Sequence, residues 1–374
     1  MIVILIILSI AYAFLMARFA EGFQKVPEFD FSEQGPKGSF SILIPFRNEE
    51  NHLPMLLDSL NAIQYSRTLF EVIFIDDDST DASVKIIQKT LSGTNISYQI
   101  IRNHRVSNSP KKDAIETAIK IAKHEWILTT DADCILPDNW LQVFNEYTTS
   151  IDSKMIVGPV IYKTNDSFIE NFQLFEFLSL QGATIGGFGI GKPFLCNGAN
   201  LAYKRQTFLE LNGFQGNNNI ASGDDIFLFE KFYKKYPEAV HFLKSRSALV
   251  KTFPLLTWKN VIHQRMRWAA KSSSSKLWFG TYVGILVFLT NLSWILAVIN
   301  LFLFRENFLK LIVPIAIKIM VDYYFLDIIS RFYKNQIKIK SYIFSSLFYP
   351  FFSTFIVFKT LSSKYNWKDR RFKK

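Results

Sequence analysis

Residues 70–81 read FEVIFIDDDSTD, an apolar run that ends in four acids with a serine and a threonine among them. The apolar run is typical of a buried strand, and the residues after it place apolar side chains at helical spacing. Three further runs, each followed by a helical pattern, are FSILIP at 40–45, SYQII at 97–101 and WILTT at 126–130, the last leading to a helix near Pro137. This alternation predicts an α/β fold with a Rossmann-like, mostly parallel sheet.

Acidic residues gather where two of these strands end. Asp76, Asp77 and Asp78 follow the second strand, and Asp131 and Asp133 follow the fourth. Because parallel sheets bind ligands outside the carboxyl ends of their strands, both loops should meet at one crevice. Helix capping explains one or two of these acids but not all. Mg²⁺ or Mn²⁺ would relieve the repulsion between the carboxylates, since either ion takes oxygen ligands and bridges to a diphosphate. The pattern predicts a metal–diphosphate site.

The composition excludes several classes of protein. The 374 residues are 49% hydrophobic and 16% aromatic, which excludes a disordered chain. The net charge is +11, but residues 331–374 alone hold 11 Lys and Arg against one acid, Asp369. This charge follows apolar segments, as an anionic membrane surface favours, so nucleic acid is not expected as a partner. The two cysteines form no disulfide framework, which indicates a cytosolic catalytic part.

An apolar segment opens the chain. Residues 1–20 carry no charge before Arg18 and are long enough to cross a bilayer, so we expect a transmembrane anchor. A cleaved signal peptide is the alternative, although the segment has no basic region before the apolar run. Arg18 and Lys25 on its carboxyl side place the following domain in the cytosol.

Three more apolar runs lie near the other end, at 278–304, 308–329 and 341–358. The first two are expected to span. The third has Pro350 inside it, and we expect it to enter and return or to lie along the interface, which keeps both flanking basic segments in the cytosol; a third full span is the alternative. Asp322 is expected to pair with Lys318 at helical spacing. The predicted organisation is an anchor at 1–20, a cytosolic domain at 39–270, membrane segments at 278–358 and a basic tail at 359–374, in a multi-pass protein of the plasma (inner) membrane.

Six segments carry a resemblance to a known family. In chain order they are IPFRNEE at 44–50, VIFIDDDSTD at 72–81, KKDAIETAI at 111–119, TTDADC at 129–134, GDDIFLFEK at 223–231 and QRMRW at 264–268. Together they resemble family 2 glycosyltransferases, which have the GT-A fold, over about residues 39–270. The Q-x-x-R-W motif just before membrane segments is similar to that of polysaccharide synthases and ceramide glucosyltransferases. The resemblance implies an inverting hexosyltransferase that uses a nucleotide sugar, expected to be a UDP-sugar.

The resemblance also implies roles for single residues on the donor side. Asp76 would bond the uracil, and Asp133 would be the direct ligand of Mg²⁺ or Mn²⁺, with Asp131 beside it near the ribose or sugar. The residues expected to bind the nucleotide sugar are Pro45, Glu49, Asp76, Asp77, Lys112 and Asp131.

On the acceptor side, the resemblance makes Asp225 the catalytic base, with Asp224 as the fallback. Two adjacent acids could instead cap the following helix. Gln264 and Arg267 would bind the diphosphate, and Trp268 would face the acceptor, although a Trp there also suits a membrane-interface anchor. The acceptor is expected to be a lipid or a growing cell-envelope glycan.

Some features depart from the family or lie outside its motifs. Asp78 stands where the family often has Gly, and Asp224 replaces a more usual Glu. The segment QGATIGGFGIGK at 181–192 has five glycines, for which we expect a mobile loop at the acceptor edge. A metal-dependent sugar nucleotidyltransferase and a non-catalytic membrane scaffold that binds a nucleotide sugar are the alternative functions.

Overall fold

The structure is a computed structural model that describes residues 2–32, 35–216, 223–272, 275–303, 308–362, 365–367 and 370–372. The chain divides into two compact units. The sheet unit comprises Pro27–Lys163 and Cys196–Phe253, and the helical unit comprises Met1–Val26, Thr164–Leu195 and Pro254–Lys374. Residues 164–195 and 254–270, which the predicted domain at 39–270 includes, therefore belong to the helical unit.

The strands of the sheet unit are β1 (Phe40–Phe46), β2 (Phe70–Asp76), β3 (Ser97–Arg102), β4 (Trp126–Thr129), β5 (Met155–Val157), β6 (Val160–Tyr162), β7 (Leu201–Lys204), β8 (Val240–Phe242) and β9 (Val250–Thr252). Seven of them form one sheet in the order β3-β2-β1-β4-β7-β5-β8. The first four are mutually parallel, and β7 runs antiparallel to both β4 and β5. Strands β6 and β9 form a separate parallel pair. The predicted α/β class with a mostly parallel sheet is confirmed.

The helices are α1 (Ile2–Lys25), α2 (Leu53–Ala62), α3 (Ser83–Leu91), α4 (Pro110–Ile121), α5 (Trp140–Ser150), α6 (Phe168–Gly189), α7 (Arg205–Glu210), α8 (Asp224–Lys235), α9 (Trp258–Ser272), α10 (Trp278–Leu303), α11 (Phe308–Phe332) and α12 (Ile339–Ser362). Helices α2 to α5 each follow one of the first four strands, as the alternation predicts. The central strands are apolar on both faces because helices cover both sides of a parallel sheet. Helix α2 supplies Leu53, Leu56, Leu57 and Leu60 to this core, all fully buried.

Three helices within the described residues are long and apolar enough to cross a membrane, as judged by length and composition: Ile2–Lys25, Trp278–Leu301 and Ile339–Leu361. The first two overlap the spans predicted at 1–20 and 278–304. Helix α11, predicted to span at 308–329, is not among them, because Lys318, Asp322 and Asp327 interrupt its apolar run. The helical unit also has an antiparallel strand pair, β10 (Tyr365–Trp367) and β11 (Arg370–Phe372).

The segment around Pro350 differs from one of the two arrangements expected for it. Helix α12 runs without a break from Ile339 to Ser362, with Pro350 inside it. An uninterrupted helix does not turn back, so the expectation that this segment enters and returns is wrong. Crossing and lying along the interface both agree with a single helix. The predicted basic tail at 359–374 falls partly outside the described residues.

The glycine-rich segment is a helix. We expected a mobile loop at 181–192, but residues up to Gly189 belong to α6, so this prediction is wrong. The glycines let α6 approach α1 at backbone distance. A Cβ atom built on Gly186 would lie 2.5 Å from the Phe19 carbonyl oxygen, and one built on Gly22 would lie 2.2 Å from the Gly186 oxygen. Small residues at such crossings allow membrane helices to pack closely.

The Gly186→Ala substitution is expected to destabilise the protein. Alanine favours a helix over glycine by about 0.5–1 kcal/mol. Here its methyl group would collide with the α1 backbone, and such overpacking costs about 1–3 kcal/mol. The matched control is Gly284→Ala on α10, where an added Cβ meets no atom within 4 Å. Thermal unfolding in detergent should show a lower Tm for the first variant only. Equal Tm values in both variants would contradict the close crossing.

Candidate active site

The carboxyl ends of β2, β1 and β4 lie side by side and bring the two acidic loops to one edge of the sheet. In the parallel register, Phe46 of β1 pairs with Asp76 of β2, and Leu43 of β1 pairs with Thr129 of β4. The loop that begins at Asp76 and the loop with Asp131 and Asp133 therefore flank the end of β1. The two acidic loops thus meet at one edge of the sheet, as the sequence predicts.

A lysine joins the second acidic loop to the acid pair of α8. The Lys111 ammonium lies 2.6 Å from Asp131 Oδ1 and 3.1 Å from Asp224 Oδ2. Lysine in the first turn of a helix is unfavourable to the helix dipole, and the two carboxylates offset this. Burial by itself lowers the pKa of Lys111, but Asp131 and Asp224 outweigh it and raise that pKa above its ordinary value. The lysine is therefore held as a cation between two chain segments.

Asp225 lies beside this ion pair and is nearly buried, with 8% of its surface exposed. Its Oδ2 accepts a hydrogen bond from the Gly198 N–H at 3.3 Å, and its Oδ1 accepts one from the Ile226 N–H at 2.7 Å. The second bond lies within the first turn of α8, whereas the first joins α8 to a distant segment. Gly198 is in turn tied to the end of β4, because its carbonyl accepts from the Thr129 hydroxyl at 2.9 Å. The acid pair therefore stands at the strand edge as well as at a helix start.

Gly223 sets the backbone conformation just before this acid pair. It precedes α8 with φ +87°, in the left-handed region that glycine adopts without strain. Asp224 and Asp225 thereby fall in the first turn of α8, where the helix dipole favours negative charge.

The loop after β2 holds its acids in different ways. Asp76 Oδ1 accepts from the Ser79 N–H at 2.9 Å. Asp77 is buried and accepts from the Asn103 side chain at 2.8 Å and from Arg105. These contacts give Asp77 a structural role, and its predicted part in nucleotide binding stays a prediction.

Asp78 has φ +59°, a left-handed conformation that glycine adopts without strain. The Arg102 guanidinium holds the pKa of Asp78 below its usual range. Aspartate tolerates left-handed backbone better than most residues, so the departure from the family pattern is accommodated locally.

The other residues predicted to bind the donor are Pro45, Glu49 and Lys112. Pro45 is the penultimate residue of β1, and Glu49 follows that strand with its carboxylate 2.9 Å from His52 Nδ1. Lys112 is 1% exposed, and its ammonium lies over the Phe227 ring, 4.7 Å from the centroid. Burial lowers the pKa of Lys112 to about 8.

Lys111, one position before the lysine we predicted, thus contacts two of the predicted acids, Asp131 and Asp224. Two adjacent lysines start α4, and the charges of Asp224 and Asp225 act on Lys112 as well, so its predicted role in nucleotide binding stays a prediction. The sequence carries no signal that selects between them. The role of Gly198 has no sequence signal either, because its contact with Asp225 joins segments 27 residues apart.

The Q-x-x-R-W residues lie on α9 in the helical unit. Arg265, inside the motif, is 4% exposed and bonds to Glu176 at 2.9 Å. Its guanidinium lies over the Trp268 ring, 4.3 Å from the centroid, and also contacts the Gln264 side chain. The roles predicted for Gln264, Arg267 and Trp268 stay predictions.

A divalent ion at this sheet edge would need ligands from the substrate as well as from the protein. Within the described parts of the chain, no group of three or more His, Cys, Asp or Glu residues is arranged to hold a metal ion. Mg²⁺ commonly binds through one or two carboxylates together with substrate phosphates and water. Asp131 and Asp133, both only partly exposed after β4, therefore fit a divalent ion that a diphosphate helps to bind.

Part of the chain is similar in sequence to known proteins. Residues 41–211 match the family model for glycosyl transferase family 2. Poly(ribitol-phosphate) beta-N-acetylglucosaminyltransferase TarS of Staphylococcus aureus is 33% identical over 94 residues, 25% of this chain and 16% of TarS. Beta-monoglucosyldiacylglycerol synthase of Nostoc sp. is 25% identical over 243 residues, 63% of this chain and 49% of that protein. The chain thus matches less than half the length of either relative.

A solved structure shows the same fold. The mannosyltransferase PcManGT from Pyrobaculum calidifontis, solved with GDP-Man and Mn²⁺, superposes with a TM-score of 0.58 and 13% identity. The superposition covers 97% of this chain and 99% of that chain. The predicted GT-A fold class is confirmed, and the part of this chain that matches the glycosyl transferase family 2 model is residues 41–211.

Proposed function

We propose that the chain is an inverting glycosyltransferase that moves a sugar from a nucleotide-sugar donor, a UDP-sugar, to a membrane-associated acceptor. The observation that carries the proposal is that Lys111 contacts both Asp131, in the loop after β4, and Asp224 of the Asp224–Asp225 pair. Such transfer needs a cationic group near the departing diphosphate and a carboxylate near the attacking hydroxyl. Both kinds of group lie at this strand edge.

On the donor side, the residues bind and orient the nucleotide. Asp76, at the end of β2, would bond the base, and Pro45 and Glu49 would line the pocket beside it. Lys111 would turn its ammonium towards the donor phosphates while it keeps Asp131 in place. Asp131 and Asp133 would hold Mg²⁺ or Mn²⁺. A divalent ion bound there stabilises the charge that develops on the diphosphate.

On the acceptor side, Asp225 would take the proton of the attacking hydroxyl. The hydroxyl oxygen forms a bond to the anomeric carbon, and the bond from that carbon to the diphosphate oxygen breaks with its electron pair. Attack from the opposite face inverts the configuration, so an α-linked donor gives a β-linked product. The hydrogen bond from Gly198 fixes the carboxylate of Asp225, while Lys111 contacts Asp224.

The helical unit supports a membrane-associated acceptor. Three of its helices are long and apolar enough to span, and the chain ends in basic residues that suit an anionic surface. Gln264 and Arg267 would bind the diphosphate, and Trp268 would face the acceptor. The Nostoc relative is named for a glucosylated diacylglycerol and TarS for a polyribitol phosphate. A lipid and an envelope glycan are therefore the acceptor classes to test, with the sheet unit in the cytosol.

The deciding experiment supplies membranes containing the protein with a panel of labelled nucleotide sugars and Mn²⁺ or Mg²⁺. Release of UDP together with label in lipid or polymer would support sugar transfer. Release of pyrophosphate would favour the nucleotidyltransferase alternative. Binding of a nucleotide sugar without turnover of any donor would favour the scaffold.

Affinity for UDP is expected to rise when Mn²⁺ or Mg²⁺ is present, and Asp133→Asn should abolish most of this rise. The reason is that the ion needs both the phosphate oxygens and this carboxylate. Isothermal titration of UDP, with and without the ion, measures the effect, for which we expect at least a tenfold difference in wild type. The matched control is Asp138→Asn, which removes an exposed carboxylate five positions on. A cation effect that survives Asp133→Asn would remove this residue from the metal site.

A further inference from the structure

A cavity of about 160 Å³ lies among the helices of the helical unit. Residues from α1, α6, α10, α11 and α12 line it, all of them within this unit. Most of the wall is aromatic or aliphatic, including Phe19, Phe172, Phe175 and Phe325. A cavity of about 150 Å³ with such a lining accepts a benzene-sized guest. This one therefore has room for a short stretch of hydrocarbon, not for a whole lipid.

Serine, tyrosine and acidic side chains interrupt the apolar wall, and three of them bear on the choice of ligand: Asp322, Ser345 and Glu176. Asp322 is paired with Lys318 at 2.7 Å, as its helical spacing predicts, and it accepts a hydrogen bond from the Tyr12 hydroxyl. The Ser345 hydroxyl is different, because the residue is 4% exposed and its oxygen has no hydrogen-bond partner among the described residues. Buried hydroxyls are nearly always hydrogen-bonded, so a bonding group is missing from this wall.

The third polar group, Glu176, joins the cavity to the Q-x-x-R-W motif. Its carboxylate forms an ion pair with Arg265 at 2.8 Å, and the Arg265 guanidinium lies over the Trp268 ring. Arg265 also contacts the Gln264 side chain. Glu176 in the cavity wall is therefore linked through Arg265 to Gln264 and Trp268. The proposed function gives both of these residues substrate-binding roles.

The charges of the wall select between classes of ligand. Among the described residues that line the cavity there are two carboxylates and no Lys, Arg or His. Lys318 and Arg265 already pair with these two carboxylates, so a phosphate in the cavity would break an existing ion pair or remain without a cation, which is unfavourable. A hydroxyl can donate to a carboxylate or bond with Ser345. The wall thus favours an uncharged ligand that combines hydrocarbon with a hydroxyl.

We propose that this cavity binds the acceptor, an uncharged lipid alcohol, through the hydrocarbon next to its hydroxyl-bearing head. The inference rests on the proposed function and narrows its acceptor from lipid or glycan to a neutral lipid with a free hydroxyl. The bilayer that the spanning helices require supplies such ligands at high local concentration. Glu176 and Arg265 then hold Gln264 and Trp268 in place relative to the lipid, so Arg265 is a positioning residue.

The first test fills the cavity. Ala183→Leu adds three carbons to its wall from α6, and Gly284→Leu adds an apolar side chain to α10 where an added Cβ meets no atom within 4 Å. With the full-length enzyme in nanodiscs that contain diacylglycerol, the first variant should raise the KM for the lipid at least tenfold. Its cation-enhanced affinity for UDP should equal that of wild type. The Gly284→Leu control should keep both values. An unchanged lipid KM in Ala183→Leu would overturn the proposal.

A milder variant guards against misfolding. Ser345→Ala nearly keeps the volume of the wall and removes one hydrogen-bonding group. The KM for the lipid should therefore be roughly fivefold higher. If Ala183→Leu fails to fold, Ser345→Ala decides the matter. The proposal is overturned if Ser345→Ala keeps both the wild-type KM for the lipid and the wild-type amount of the photolabel described next.

The second test needs no turnover. Diacylglycerol with a diazirine in its acyl chain, near the glycerol, is photolysed with the wild-type protein, and the labelled peptides are identified by mass spectrometry. Label within 172–183 and 342–349 that excess unlabelled diacylglycerol displaces would support the cavity. Label confined to other segments, or displacement by a polyprenyl phosphate but not by diacylglycerol, would overturn it. Wild-type protein that takes the label but transfers no sugar would contradict the proposed function alone.

Discussion

The Asp225→Asn enzyme is expected to transfer sugar about 10²- to 10⁴-fold more slowly than wild type, which is the usual contribution of a positioned general base. Asparagine has the shape of aspartate and can still accept the hydrogen bond that Gly198 donates. It cannot take the proton of the attacking hydroxyl. The loss should therefore appear in kcat, while the affinity for UDP in the presence of the ion should stay within about twofold.

The matched control for this prediction is Asp224→Asn, which changes the adjacent carboxylate. Asp224 contacts Lys111 at 3.1 Å, so its loss should weaken the hold on that lysine and raise the KM for the donor more than it lowers kcat. Stopped-time assays of UDP release over a range of donor concentrations separate the two effects. If Asp224→Asn loses kcat and Asp225→Asn keeps it, the base is the fallback residue. Unchanged turnover in Asp225→Asn and Asp133→Asn together would refute the assignment of the site.

The sequence was sufficient for the part of the fold that forms locally. Each of the first four strands is an apolar run followed by its own helix, and short connections make such strands neighbours. The positions of Asp76 and Asp131 at one edge follow from the parallel register alone. This is why the acidic crevice could be predicted before any distance was known.

The antiparallel part of the sheet could not be predicted in the same way. Strand β7 lies between β4 and β5, although it follows β5 by more than 40 residues in the chain. Strands β5 and β8 have three residues each, too few for an alternating pattern to be recognised. Their pairing is set by contacts distant in sequence, and so is the contact between Gly198 and Asp225.

The glycine-rich segment shows the opposite error, in which local propensity misleads. Five glycines between 182 and 191 predict a loop because glycine disfavours helices. The helix is stabilised by its approach to α1, where the absence of Cβ atoms at Gly22, Gly186 and Gly189 permits backbone contact. A single sequence does not reveal which distant helix requires the space.

The two lysines that begin α4 give the second large effect. Lys111→Met is expected to lower kcat/KM for the donor by about 10²- to 10³-fold, the range seen when one preorganised stabilising group is removed. Lys112→Met should change it by less than about threefold, because the Lys112 side chain is buried against Phe227 and Met fills similar space. The sequence-based prediction gave the nucleotide role to Lys112. The reverse outcome, with loss of donor binding only in Lys112→Met, would restore that prediction.

The pH dependence of stability provides an independent readout for the same pair. The pKa of Lys112 is lowered to about 8 in the folded protein, against an ordinary value of about 10.4 in the unfolded chain. Between these values the unfolded chain binds more protons, so the free energy of unfolding of wild type should rise with pH relative to Lys112→Met. Below pH 8 both states are protonated, and the full cost of the buried charge is present. The difference in the free energy of unfolding between wild type and Lys111→Met should stay constant between pH 8 and 10, because the raised pKa of Lys111 keeps it protonated in both states. Lys111→Met should be less stable than wild type throughout this interval, since two carboxylates lose their partner. A flat difference between wild type and Lys112→Met over this interval would mean that the Lys112 ammonium is solvated, and the structural reason for preferring Lys111 would be lost.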